Sequence, residues 1–457
     1  MKILSGSLLI AILPFVSCKK LIQIPANPPS AITRAEQFAD SATAMSAVAG
    51  VYTYDNQGVA FAYSDANLTI ATGLSSDELS YTGSGDEQEF YSYTLTPVNV
   101  EAAALWASPY QGLYAVNDIL NGITGNNNLS ASFIKQISAE MKVVRALYYF
   151  NMLNLFGGVP LVTSTDYNTT AHLPRDSVSA IYSQVIADLN DAAGNLPASY
   201  PSAGRARPNV YTAQTLLAKV NLYLGNWQAA YNEADSVINS GAYVLTDSLN
   251  NVFLDGSTEA IWQIPAAQSF FATTEAYLFV PDIGATPAYL VTPFLLNAFE
   301  PGDRRLQDWV GTTVINNGNL YYPFKYKNVL ASSAPVEDYM IFRLAEVYLI
   351  RAEAAAELNN LSGAMADINI IRNRAGLLPS TANATSRTAV LAAVLHERQT
   401  EMCFEWGSRW FDLKRTGNAG TVLTAEKSGW QPNAALYPIP QAQLQLNSLL
   451  TQNPGYN

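Results

Sequence analysis

Two histidines and two cysteines in 457 residues leave little material for transition-metal or thiol chemistry. A zinc site of three or four ligands would need nearly all of Cys18, His172, His396 and Cys403, which stand far apart in the chain. Charge is scarce as well. Asp, Glu, Lys and Arg make up 14% of residues, against about 25% in an average globular domain. The 25 basic residues are outnumbered by 37 acidic ones, for a net charge of −12. A clustered Lys/Arg surface for phosphates is therefore not provided for, which excludes nucleic acid as a partner class. What the chain does have is apolar and aromatic material: 49% hydrophobic residues, with 26 Tyr, 17 Phe and 7 Trp. That is enough for a large core, so disorder is excluded as well.

The N-terminus reads as an address. Lys2 precedes an apolar run over residues 3–16 that is 14 residues long, short of the about 20 needed to span a bilayer as a helix but suited to a secretory signal. Phe15, Val16, Ser17 and Cys18 resemble a bacterial lipobox, in which cleavage leaves a lipid-modified Cys at the new N-terminus. The expected division is a signal peptide over residues 1–17, then a lipid anchor at Cys18 with a Pro-rich linker over residues 18–30, then one domain over residues 31–457. Multiple acyl chains on one Cys would anchor stably, and Pro25, Pro28 and Pro29 would keep the linker extended. Cys403, between Met402 and Phe404, reads as a buried small apolar residue.

Most of that domain has helical periodicity. Residues 132–156 place Ile134, Ile137, Met141, Val144, Leu147 and Tyr148 on one face before Gly157, Gly158 and Pro160. A second helix is expected over residues 177–193. Two segments, 212–240 and 342–375, each read as helix, break and helix, and they align with one another. Ala218 falls on Ala352, Leu222 on Ala356, Gly225 on Asn359, Ala230 on Ala364 and Ala234 on Ile368. This is the spacing of tetratricopeptide-type helical hairpins, which bury a continuous core by stacking. The expected fold is therefore mainly α, a tetratricopeptide-like superhelix of hairpins with a loop-rich part carrying short β-strands. Residues 60–98 and 247–335 form that part, with β-type runs at 260–264 and 321–326. Ligand-contacting residues are expected there, on loops held by the helices.

Near the C-terminus stands ERQTEMCFEWGSRWFDLKR, residues 397–415. Read as one helix, it puts Glu397, Glu401, Glu405 and Arg409 on one row, with Arg398, Met402, Trp406 and Trp410 beside it. Arg398 and Arg409 would neutralise the acids and the tryptophans would bury the adjacent face, so the segment reads as an ion-paired structural lock rather than as metal ligands or an acid/base pair. The same residues resemble the signature of the SusD-like (SusD/RagB) family of outer-membrane nutrient-binding lipoproteins of Bacteroidetes. Residues 342–354, 369–377, 142–150 with 156–161, and the ending over 437–456 resemble other parts of that family, so the resemblance covers nearly the whole mature chain. Asp303, Arg304 and Arg305 resemble a family element whose role is structural.

Membership implies a cell-surface lipoprotein without catalytic activity, and the residues themselves suggest no cofactor and no metal-ligand set. It would bind a glycan or oligosaccharide and hand it to a SusC-like TonB-dependent transporter in the outer membrane, facing the cell exterior. A polar, low-charge chain rich in aromatics suits a neutral sugar, which is held by ring stacking and uncharged or carboxylate hydrogen bonds. From the loop-rich segments, Asp77, Tyr81, Phe270, Phe271, Tyr289 and Trp309 are the candidate ligand contacts. Tyr81 is expected to stand exposed beside Thr82, Gly83, Ser84 and Gly85. Two alternatives remain at this point: a surface glycoside hydrolase, which needs two carboxyl groups about 5–10 Å apart, and a helical-repeat adaptor for protein or peptide.

Overall fold

The computed structural model describes residues 32–52, 61–266 and 272–456. Cys18 and the Pro-rich linker lie outside the described residues, as do Phe270 and Phe271. Helix dominates. The first long pair, Val100–Ile123 and Ala131–Phe156, is followed by Val178–Asn195. The caps explain these boundaries. Ser130 and Ser177 each accept a hydrogen bond from the backbone three residues on, at 3.2 Å. Gly157 ends the second helix at φ +75, where a residue with a Cβ would be strained.

The two aligned repeats are both helical hairpins: Val210–Tyr223 with Trp227–Asn239, and Leu344–Glu357 with Leu361–Arg374. Their aligned break residues, Gly225 and Asn359, share the left-handed backbone, at φ +73 and +64. Gly and Asn reach that conformation at least cost. Ala218, Ala230, Ala352 and Ala364 are fully buried where the helices approach. The second helix of one hairpin packs on the first helix of the next, so they stack as tetratricopeptide-type units do. Arg351 ties the stack together, reaching Asp367 in its own hairpin at 2.7 Å and Asp235 in the other at 2.8 Å.

Among the described residues, six short strands form three antiparallel ribbons. Strand β1 is Leu79–Tyr81, β2 Ala260–Ile264, β3 Tyr289–Val291, β4 Val310–Ile315, β5 Gly318–Pro323 and β6 Tyr339–Arg343. The run expected at 260–264 is β2, and that at 321–326 overlaps β5. β4 and β5 close on Asn316 and Asn317 at φ +51 and +62, a two-residue turn whose twist matches the strands. β2 pairs with β6, which leads straight into the second hairpin. β1 pairs with β3, joining the two loop-rich segments.

The C-terminal motif differs from expectation. It is two helices, Arg387–Glu401 and Ser408–Arg415, separated by a turn in which Phe404, Trp406 and Gly407 take φ +59, +47 and +76. Glu405 and Arg409 therefore leave the row of Glu397 and Glu401, and the expected neutralising arginines are not the ones used. Glu401 meets Arg343 at 2.5 Å, Arg305 at 3.2 Å and also Arg374. Glu405 meets Lys325 at 2.5 Å and Arg343 at 2.8 Å. Glu397 meets Arg305 at 2.6 Å. Arg398 turns away to Asp412 at 2.6 Å. With Glu259, Asp303 and Arg372, five buried carboxylates face five buried cations. Burial disfavours ionising Glu401 and Glu405, yet the neighbouring arginines and Lys325 outweigh it and hold both below the usual carboxylate range. The role is structural, as expected, and Asp303 with Arg305 belongs to it. Cys403 is fully buried, and burial pushes its thiol up to about 12.

Candidate ligand-binding cleft

The pairing of β1 with β3 places Tyr81 directly opposite Tyr289. Their rings stack with centroids 5.2 Å apart at 30°, a geometry worth about 0.5–1.5 kcal/mol beyond burial. Tyr81 is half-buried rather than free-standing, because it leans over Gly83, where a Cβ would meet the ring at 2.6 Å. Phe279 abuts Tyr289 edge-on at 5.6 Å. Two of the six ligand candidates are thus brought together across 208 residues of sequence.

Tyr289 lines a cleft of about 340 Å³, with Asp65, Asn67, Glu87, Phe90, Glu101 and Leu278 on its other walls. Asn67 begins the helix Asn67–Ser75 and Asp65 stands in the turn just before it, Glu87 belongs to the helix Asp86–Ser92, and Glu101 stands in the first turn of Val100–Ile123. The backbone around Asp65 is unusual. Tyr63 and Ala66 both adopt left-handed conformations, φ +71 and +62, at a cost of roughly 1–2 kcal/mol per residue. Such positions persist where the surroundings impose them, and they concentrate at binding sites. Asn67 donates its backbone N–H to Asp65 Oδ1 and its side-chain amide to the Glu101 carbonyl, both at 3.2 Å.

The cleft therefore combines an aromatic face with carboxylates. Burial raises the Asp65 carboxyl, and burial followed by the charges of Glu87, Asp65 and Asp86 raises that of Glu101. Burial also raises the Tyr289 hydroxyl, so it remains a donor. A ligand here would meet the Tyr289 and Phe90 rings and a dense set of carboxylate acceptors, as suits a polyhydroxyl compound. Among the described residues, no group of three His, Cys, Asp or Glu is placed to hold a metal.

Trp309 and Asp77 lie elsewhere. Trp309 is fully buried, its indole N–H bonded to the Leu249 carbonyl at 3.1 Å and its ring covered by the Lys325 ammonium 4.2 Å from the centroid. Asp77 is also fully buried, with both oxygens held by Arg409. Neither has a face or polar atom free for ligand, because each completes a charged network whose other members come from distant sequence. Asp65, Asn67, Glu87, Glu101 and Leu278 were missed. Asp65 and Glu87 lie in the first loop-rich segment, but no spacing distinguishes them from other acids there.

Comparison with known proteins agrees with this architecture. Residues 297–456 match the SusD family profile, and residues 29–222 match a profile described as starch-binding associating with outer membrane. SusD-like protein P25 of Formosa agariphila is 24% identical over 514 aligned positions, covering 96% of each chain. A SusD superfamily protein of Bacteroides vulgatus superposes with a TM-score of 0.81 at 22% identity, over 91% of this chain and 99% of that one. A laminarin-binding SusD-like protein superposes with a TM-score of 0.74 at 24% identity, over 91% of this chain and all of that one (100%).

Proposed function

The chain belongs to the SusD family, and from that premise we propose that it is a glycan-binding lipoprotein of the outer-membrane surface that captures oligosaccharide without transforming it and passes it to a SusC-like TonB-dependent transporter. The observation that carries the binding role is the convergence of Tyr81 and Tyr289 beside a cleft edged by Asp65, Glu87 and Glu101. The half-buried Tyr81 ring, backed by the buried Tyr289 ring, offers an apolar face to the C–H surface of a sugar, while the carboxylates of the adjoining cleft accept from its hydroxyls. The names of similar proteins, one starch-associated profile and one laminarin binder, support a polysaccharide ligand. The anchor rests on the sequence ending at Cys18, and the transporter partnership and outward orientation rest on family membership.

Binding to a panel of soluble polysaccharides, measured by affinity electrophoresis and then calorimetry, tests the reading. Saturable binding to at least one, weakened by Tyr81→Ala, is the expected result. Absence of binding across the panel counts against it. The cleft carboxylates are also the groups a glycoside hydrolase would use, so release of reducing sugar on prolonged incubation would replace capture by catalysis.

A further inference from the structure

A second cavity, of about 520 Å³, lies away from the cleft, between the helix Val100–Ile123, the loop and short helix Tyr167–Thr170 that follow residue 156, and the C-terminal helix Gln441–Leu446. Its walls include Trp106, Tyr110, Tyr114 and Tyr167, and its polar edge includes His172 and Gln443. Among the described residues, no Asp, Glu, Lys or Arg contributes to it, in contrast to the acidic first cleft. Tyr114 and Tyr167 are 61% and 76% exposed. One exposed aromatic is ordinary, but two beside a cavity already walled by Trp106 and Tyr110 form a platform.

The walls are fixed. Tyr110 donates to the Pro160 carbonyl at 2.9 Å and packs against Trp106 at 5.4 Å. Tyr149 holds Val162 through both its carbonyl at 2.8 Å and its N–H at 2.6 Å. Asn447 donates to the Leu173 carbonyl at 2.8 Å, tying the C-terminal segment to the rim. In contrast, the side chains of Tyr114, Tyr167, His172 and Gln443 make no hydrogen bond to any described residue, and neither does the Trp106 indole N–H. Aromatic faces with uncommitted donors and acceptors are what an uncharged sugar ring requires.

We infer that this cavity is a second saccharide subsite, selective for neutral sugar units. It rests on the glycan-binding reading above and adds to it a second point of attachment with a different charge preference. Glu101 of the first cleft and Tyr114 of the second stand on one helix, about 20 Å apart along its axis at 1.5 Å per residue. Two weak subsites joined by one polysaccharide chain bind more tightly than either alone, since the second contact is made at high effective concentration.

Native gels cast with laminarin, starch, xylan, galactomannan or alginate test this, with wild type, Tyr81→Ala, Tyr167→Ala and Tyr114→Ala/Tyr167→Ala run side by side. The expected result is retardation in a neutral polysaccharide that falls at least about fivefold in the double variant and partly in Tyr167→Ala, with the melting temperature of Tyr167→Ala unchanged. Retardation of both cavity variants equal to wild type overturns the inference. If Tyr81→Ala alone abolishes retardation, the first cleft stands and the second falls. If no gel retards the wild type, both fall. Unaltered saccharide binding together with loss of a co-purifying membrane partner would assign the cavity to protein contact and overturn the subsite.

Discussion

Arg409 grips Asp77 through two parallel bonds, Nε to Oδ1 at 2.8 Å and Nη2 to Oδ2 at 2.6 Å, between residues 332 apart in sequence. Gln399 adds a third at 3.1 Å. The Asp77 carbonyl accepts from the Thr292 hydroxyl, and the Glu78 carbonyl accepts from the Thr292 N–H at 3.0 Å. The C-terminal motif therefore fixes the start of the strand that carries Tyr81 and the end of the strand that carries Tyr289.

Removing one partner of this buried pair leaves a charge without compensation. Arg409→Ala and Asp77→Ala should each lower the unfolding free energy by about 3–5 kcal/mol, read from urea denaturation. The paired replacement Asp77→Leu/Arg409→Met should recover much of that loss. Single-variant losses below about 1 kcal/mol, the range of exposed pairs, would contradict the structural role.

Tyr81 presents a half-buried ring stacked on Tyr289, which lines the first cleft. Tyr81→Ala should weaken binding of a recognised oligosaccharide about tenfold, which corresponds to about 1.4 kcal/mol, with little change in melting temperature. Trp309→Ala should do the reverse, since its ring fills core and covers Lys325. It should cost about 3–5 kcal/mol of stability. Calorimetric titration beside thermal melting separates the two effects.

Stability should peak on the acid side of neutrality. Arginine and lysine neighbours hold Glu401 and Glu405 low despite burial, and Asp412, beside Arg398 and Arg415, lies at about 2. Groups with depressed folded pKa values stabilise above their unfolded values, so that contribution is lost as pH falls below about 4.5 toward 2. Burial instead pushes Glu78 and Glu275 up to about 8. Between their unfolded values and 8 the folded state binds the extra proton, so stability declines as pH rises through that window. Burial brings Lys414 and Lys427 down to about 7, so they oppose the decline only above that pH. The melting temperature should therefore be highest near about pH 5, and Glu275→Gln should flatten the fall toward neutrality without moving the acid limb. A flat profile from pH 5 to 7 in the wild type, or no change in the variant, would sink this account.

Cys18→Ala should move the protein from the membrane fraction to the soluble fraction of cells expressing it. Retention in the membrane fraction, with no lipid label incorporated into the wild type at Cys18, would show that something other than an N-terminal lipid holds it.

Local chemistry made much of the fold legible. The hairpins follow from periodic apolar residues, buried alanines at matched offsets, and a Gly or Asn at the one position where the backbone must turn left-handed. Ser130, Ser177 and Gly157 mark helix ends through bonds and dihedral limits that act within a few residues. The cleft was legible only by segment. Loop composition pointed to residues 60–98 and 247–335, and to Tyr81 and Tyr289 among them, but strand register alone set those two rings face to face.

The sequence by itself determined the helical-repeat class, the family signature and the scarcity of metal-binding side chains, because these depend on composition and short-range spacing. Tertiary structure alone decided that residues 397–415 break into two helices, since the break turns Glu405 toward Lys325 and Arg343 and Arg409 toward Asp77. It likewise decided that Trp309 is core and that Asp65, Glu87 and Glu101 meet at one cleft. Those outcomes depend on which distant charges and faces share a buried space, and a buried charge must find its partner wherever in the chain that partner lies. The sparse charge of the sequence thus has a location. Much of what charge there is lies inside, locking the repeats to the loops, and leaves the aromatic surfaces of the cleft and the second cavity largely free of cations.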